Sequence, residues 1–262
     1  MMEADAKKLH AIEIIFGILV SIYLIAPIFV LVPMSFGPAR FFSFPPPEFS
    51  VEQYIKFFHS GPWWRAIRIS FEVAVLASFF ATVLGILTCL AMRYKIPAKG
   101  FLNAMFISPM IVPLIITAVA LYSFLSKFHL VDTVPGLVLA HTILTLPFVI
   151  ITVSATLKGL DPSLEHAAAT LGASPMKVFF KVTLPLIKRG AITGAVFAYM
   201  ISFDETVVAI FLSSSHAITL PKKMWDSIRF SIEPILPALS TILILFAILM
   251  LVLLEVLSRK RK

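Results

Sequence analysis

Two adjacent carboxylates, Asp204 and Glu205, lie inside the apolar run "AYMISFDETVVAIF". Carboxylates at that depth are costly in lipid, so they face protein or water. Two roles suit them. One pairs with a base or caps a helix break, or at least one offers negative charge to a cationic solute crossing the chain. Glu72, Tyr122 and His141 are further polar groups in apolar stretches and are candidates to line the same path. Each also has a plainer role: Glu72 paired with Arg68 one turn earlier, His141 in satisfied packing, Tyr122 beyond a kink made by Pro109 and Pro113. The isolated histidines and the single cysteine, Cys89, assemble into no catalytic or metal-binding set. The chemistry on offer is holding and passing a solute, and no catalytic residue is expected.

The elements that must position these groups follow from composition. Apolar residues make up 59% of the 262 residues and charged ones 14%, against roughly a quarter charged in soluble domains. The net charge of +8 does not point to nucleic acid, because Lys and Arg gather at the ends of apolar stretches, not on a polar domain. Apolar windows predict an all-α membrane protein, a single domain over 1–262 with six crossings near 11–34, 69–92, 101–126, 136–157, 190–212 and 236–257. The first lacks a small-x-small cleavage site and is expected to stay as a span. An even count puts both termini on one side, and the basic clusters "RYKIPAKG" and "SRKRK" predict that side to be the cytoplasm. Glu255, beside the basic tail, is expected at the interface. Between the first two crossings, Pro45 to Pro47 should be extended, Ser50 should cap a short helix over 51–58, and Trp63 and Trp64 suit the membrane surface.

One loop, 158–189, is too patterned to be a mere connection. In "KGLDPSLEHAAATLGASPMKVFFKVTLP", Asp161 can act as N-cap with Pro162 at the first helical position. Leu164, Ala167, Ala168 and Leu171 then recur on one face. Gly172 supplies a left-handed stop, Ser174 and Pro175 start a second short helix, and Pro185 should break it. A small-residue stripe lets another surface approach closely, which suits a socket better than a lipid headgroup layer. This predicts a rigid elbow that receives force from a partner.

The stretch resembles the signature loop of the membrane subunits of binding-protein-dependent ABC importers. In that family Glu-Ala-Ala is followed by three residues, Gly, nine residues, an aliphatic residue, any residue, and Leu-Pro. Here Ala167, Ala168, Gly172, Val182, Leu184 and Pro185 occupy those places, while the family glutamate falls at His166 with Glu165 one residue earlier. The expected acidic contact is therefore supplied by Glu165 at a changed angle, or lost.

The resemblance implies a type I importer permease of the MetI-like fold whose elbow, about 162–175, is a coupling helix seated in an ATPase subunit. It also implies as partners a dimer of ABC ATPase subunits using ATP and Mg, a second related permease, an external solute-binding protein and membrane lipid, in a bacterial or archaeal inner membrane. No cofactor is expected on this chain, which has no GxxxxGK[ST] phosphate loop and is expected not to be an enzyme. "ISFDETVVAIFLSS" and the following "ITLPKKMWDSIRFSIEPILPALST" are similar to the spermidine/putrescine-type permeases. That subgroup also resembles permeases for iron, thiamine, opines and phosphonates, which stay open as solutes. Lys222, Lys223 and Arg229 beside Asp226 and Glu233 would slightly repel a cation. A six-span secondary transporter, working without an ATPase, is the rival of a different class.

Overall fold

The computed structural model describes residues 2–38, 43–93, 96–231 and 233–259, with the side chains of 2–9, 11, 231 and 250–259 left aside. Arg40, Lys95, the last three residues and the Glu255 side chain lie outside that description, so the expectations placed on them go untreated. In chain order the helices are α1 (Met2–Ser35), α2 (Glu52–Phe58), α3 (Gly61–Ala91), α4 (Lys99–Ile111), α5 (Leu114–Ser126) and α6 (Val134–Lys158). Then come α7 (Pro162–Thr170), α8 (Pro175–Val178), α9 (Leu184–Asp204), α10 (Val207–Leu212), α11 (Leu220–Asp226) and α12 (Leu236–Arg259). Among the described residues there is no strand.

Among the described residues four continuous helices are long and apolar enough to cross a bilayer: Ile12–Ser35, Gly61–Ala91, Val134–Lys158 and Pro175–Asp204. The pair α4 and α5 makes a fifth only if both halves count as one crossing, because they meet at 108°. The described apolar part of α12, Leu236–Leu249, is shorter. Among the described residues the crossings therefore number four, or five with the bent pair, by length and composition.

The prolines account for much of this. The expected single stretch 101–126 is broken in two because Val112, ahead of Pro113, is driven out of the helical region to ψ 133°, and Pro113 follows at ψ 130°. Pro109, by contrast, stays inside α4. The carbonyl of Met105, four residues back, lacks its usual N–H donor, and the Ser108 hydroxyl donates to it at 2.8 Å. Pro185 also fails to break its helix. A π turn, Phe179–Thr183, joins α8 to α9 so that one helix runs through Pro175–Asp204. The wider turn relaxes the clash between the proline ring and the preceding carbonyl. At the far end, the expected stretch 190–212 is interrupted, with Glu205 extended at ψ 114° between α9 and α10.

Two compact units divide the described chain, one within Met1–Gly61 and Ser227–Lys262 and the other over Pro62–Asp226. In the first, α1 and α2 both pack on α12. There Gln53 donates its amide to the carbonyls of Met34 and Gly37, at 3.0 Å each. α2 starts at Glu52 with Val51 at the cap position and not Ser50, whose hydroxyl still accepts from the N–H of Glu52. In the second unit α6 and α9 form the most extensive helix pair. A Cβ on Gly190 would lie 2.1 Å from Thr156 Oγ1, and one on Gly194 would lie 2.5 Å from Thr152 Oγ1. Gly190, Gly194, Ala198 and Ser202 thus form a four-residue-spaced stripe that lets the two backbones meet. Trp63 is buried, with the Lys223 ammonium 4.7 Å above its ring. Lys222 is buried and paired with Asp226, so neither lysine is the open positive charge expected from the sequence.

Candidate functional site

The elbow forms as its sequence implies. Asp161 Oδ1 accepts from Ser163 N–H at 2.9 Å, Pro162 sits in the first turn, and that N–H bond keeps the exposed Asp161 carboxyl below its ordinary range. At the other end of α7, Gly172 adopts φ +82°, with its N–H on Ala169 O and the Ala173 N–H on Ala168 O. This paired closure satisfies the last carbonyls and requires the left-handed residue. Ser174 Oγ then faces Lys177 N–H at the start of α8.

The two faces of α7 differ. Leu171 is 88% and Leu164 48% exposed, Ala167 and His166 are also exposed, and Ala168 is half-buried. Leu164, Ala167 and Leu171 thus stay largely uncovered among the described residues. Glu165 turns the other way. Arg93, just beyond α3, reaches both of its oxygens, at 2.6 Å and 2.9 Å, and the buried hydroxyl of Thr183 donates to one of them. The guanidinium bonds hold the Glu165 carboxyl below its ordinary range, against the partial burial that would raise it. Leu184, half-buried, and Pro185, exposed, lie in the first turn of α9, directly after Thr183.

At the opposite end of α9, Glu205 Oε1 accepts the N–H of Val208 at 2.8 Å and so caps α10, one of the two roles expected for this pair. Asp204 is exposed, and its carboxylate has no partner among the described residues. A row of rings leads to it: Phe71 of α3 meets Tyr199 of α9 edge-on at 6.1 Å, and Tyr199 stacks on Phe203 at 5.8 Å. Glu72 follows Phe71 on an exposed face of α3 that also carries Arg68, and no ion pair forms between Glu72 and Arg68 among the described residues. His141 is 1% exposed, with Nδ1 2.9 Å from Ser202 Oγ and 3.1 Å from the Ser202 carbonyl. A carbonyl only accepts, so Nδ1 carries the proton. The histidine thereby supplies one of the last-turn carbonyls of α9 with a donor. Its Nε2 is buried without a partner among the described residues. Tyr122 is 44% exposed on α5, a helix that packs against α10.

Among the described residues no hydrogen bond or ion pair links Glu72, Asp204, His141 or Tyr122 to one another; only Phe71 and Phe203, beside the first two, meet through Tyr199, and His141 meets Ser202. Glu165 is turned inward while His166 stays exposed. Arg93, Thr183 and the small-residue stripe were not singled out from the sequence. The stripe was legible as small residues every four positions, whereas the Arg93 contact spans 72 residues and leaves no local signal.

An all-helical membrane chain with a capped elbow between two spans and a carboxylate at the end of one of them defines a solute permease. Residues 81–262 match the family described as "Binding-protein-dependent transport system inner membrane component", and the chain belongs to that family, the membrane subunits of ABC importers. It is 31% identical over 243 residues to the spermidine/putrescine transport system permease protein PotC of Escherichia coli (strain K12), covering 91% of this chain and 90% of the relative. Against the putrescine transport system permease protein PotI of the same strain it is 31% identical over 232 residues, covering 85% and 82%. Its fold is that of a chain in a bacterial ABC transporter that imports the acidic polysaccharide alginate, with TM-score 0.72 and 15% identity over 95% of this chain and 96% of that one.

Proposed function

We propose that this chain, acting as one permease domain over 1–262, forms half of the pathway of an ATP-driven importer for a polyamine of the putrescine or spermidine type. The end that carries α7 faces the cytoplasm. Arg93, Lys158, Lys177, Lys181, Lys188 and Arg189 cluster there, in keeping with the bias of basic residues toward that side. Both termini are cytoplasmic, in the inner membrane of a bacterial or archaeal cell. The apolar stripe of α7 seats in a dimer of ATPase subunits, which bind and hydrolyse ATP with Mg. A second related permease completes the pathway, and an external solute-binding protein delivers the solute. The work is alternating access, driven by the differential affinity of nucleotide and solute for two conformations.

The observation that carries the solute assignment is Asp204, an open carboxylate at the end of the Phe71–Tyr199–Phe203 row. Ring faces attract ammonium groups and pack against the methylenes between them, while the carboxylate takes a terminal charge. The names of the two polyamine permeases support the same class. The test is uptake of labelled putrescine by the full complex in vesicles. Asp204→Asn should raise KM about tenfold with assembled complex recovered in normal amount. Unchanged KM with poor assembly would return Asp204 to a structural role. No putrescine uptake by the unaltered complex, with the ATPase still co-purifying, would reject the polyamine and leave the importer.

A further inference from the structure

We propose that Glu165 is a positioning residue of energy coupling: it bolts α7 to the feet of α3 and α9, so that force applied to the apolar stripe reaches both helices together. The inference rests on the reading of α7 as the seat of an ATPase subunit. The sequence pattern left two fates for the acid, an ATPase contact at a changed angle or none, and the geometry points to a third.

One residue along a helix is about 100° of rotation. His166, where the family pattern places its acid, is exposed. The acid at 165 is turned inward, where its side chain is 18% exposed. Both oxygens are engaged by the Arg93 guanidinium, and one also accepts from Thr183, which is 3% exposed. An isolated surface ion pair contributes little. A two-pronged guanidinium contact with a buried hydroxyl on the same carboxylate is different, because it specifies one geometry.

That geometry matters because of what α7 is otherwise attached to. A short link, 159–161, joins it to α6, and beyond Gly172, at φ +82°, it passes into α8. Those two connections alone would let α7 tilt at the end of α6. The Glu165 contacts remove that freedom. Arg93 lies two residues beyond the end of α3, and Thr183 closes the π turn that runs into α9. In the halves away from α7 these two helices carry Phe71 and Tyr199, whose rings meet edge-on, and α9 ends at Asp204. A push on α7 is thereby delivered to both walls of the aromatic row and not to α9 alone. In a complex with this arrangement, His166 and the stripe govern docking, while Glu165 governs what docking accomplishes.

The experiment uses the full complex of permeases, ATPase subunits and solute-binding protein in vesicles, reading labelled putrescine taken up per ATP hydrolysed. Glu165→Gln, which keeps size and an acceptor for Thr183, should lower that ratio about tenfold, with the ATPase still bound. The double variant Arg93→Glu with Glu165→Arg should restore it at least partly, and Arg93→Gln alone should copy the single loss. A ratio unchanged in Glu165→Gln would overturn the proposal. So would loss of the bound ATPase in Glu165→Gln without rescue by the double variant, since that outcome makes the acid a docking contact. Failure of the unaltered complex to hold an ATPase subunit would instead sink the reading on which the inference rests.

Discussion

Asp132 and Glu165 bracket α6, one carboxylate before it and one after, and each ties distant segments together by different means. Asp132, in a left-handed conformation at φ +58°, accepts backbone N–H groups from Ser214, Ser215, His216 and Ala217 at 2.8 to 3.1 Å. Its own N–H donates to the carbonyl of Leu212. Burial alone would raise its carboxyl, yet those N–H groups hold it far below the ordinary range. Glu165 depends on two side chains, those of Arg93 and Thr183. Backbone donors aimed at one point hold a loop in one shape whatever the neighbouring side chains are. Side-chain donors hold only while their own residues are in place. The end of the fold with the 213–217 loop is thus clamped by backbone, while the end with α7 is tied by side chains alone.

The contrast breaks most directly at Asp132→Ala. Removing an acceptor shared by four N–H groups should cost on the order of 3 kcal/mol, seen as a lower thermal midpoint in detergent and as new protease cleavage within 213–217. Glu165→Gln should cost about 1 kcal/mol or less in the same measurement. Equal losses at the two sites would remove the distinction between clamp and tie. Acid offers a finer test. Both carboxyls are depressed, so each contribution is complete above the ordinary carboxylate value and is lost as pH falls from there through the depressed one. The more strongly depressed Asp132 should outlast Glu165, so protease sensitivity of the 159–175 arm should rise at a higher pH than that of the 213–217 loop. The reverse order would contradict the geometry. The smallest effect belongs to His216→Ala. Its ring also touches Asp132, but the side chain is 80% exposed, and the loss should stay within about 0.5 kcal/mol.

Local chemistry was legible along the chain. Asp161–Pro162, Gly172 and Ser174–Pro175 each act within three residues, and each does in the structure what its residue type implies. Prolines were less legible because their effect depends on who answers the missing N–H. Ser108 answers next to Pro109, a π turn accommodates Pro185, and Val112 goes extended before Pro113. The carboxylate pair was recognised as special, but its division of labour was not. Glu205 caps α10 while Asp204 stays open, a difference set by which way the chain turns at ψ 114°.

By itself, the sequence determined a helical membrane chain, an elbow with built-in caps, and carboxylates too costly to leave in lipid, because propensity, hydropathy and capping act over a few residues. Only the tertiary structure decided which acid is bolted, which is clamped and which is left open. Those fates depend on donors brought from 72 and 82 residues away, and no short-range pattern encodes where they arrive.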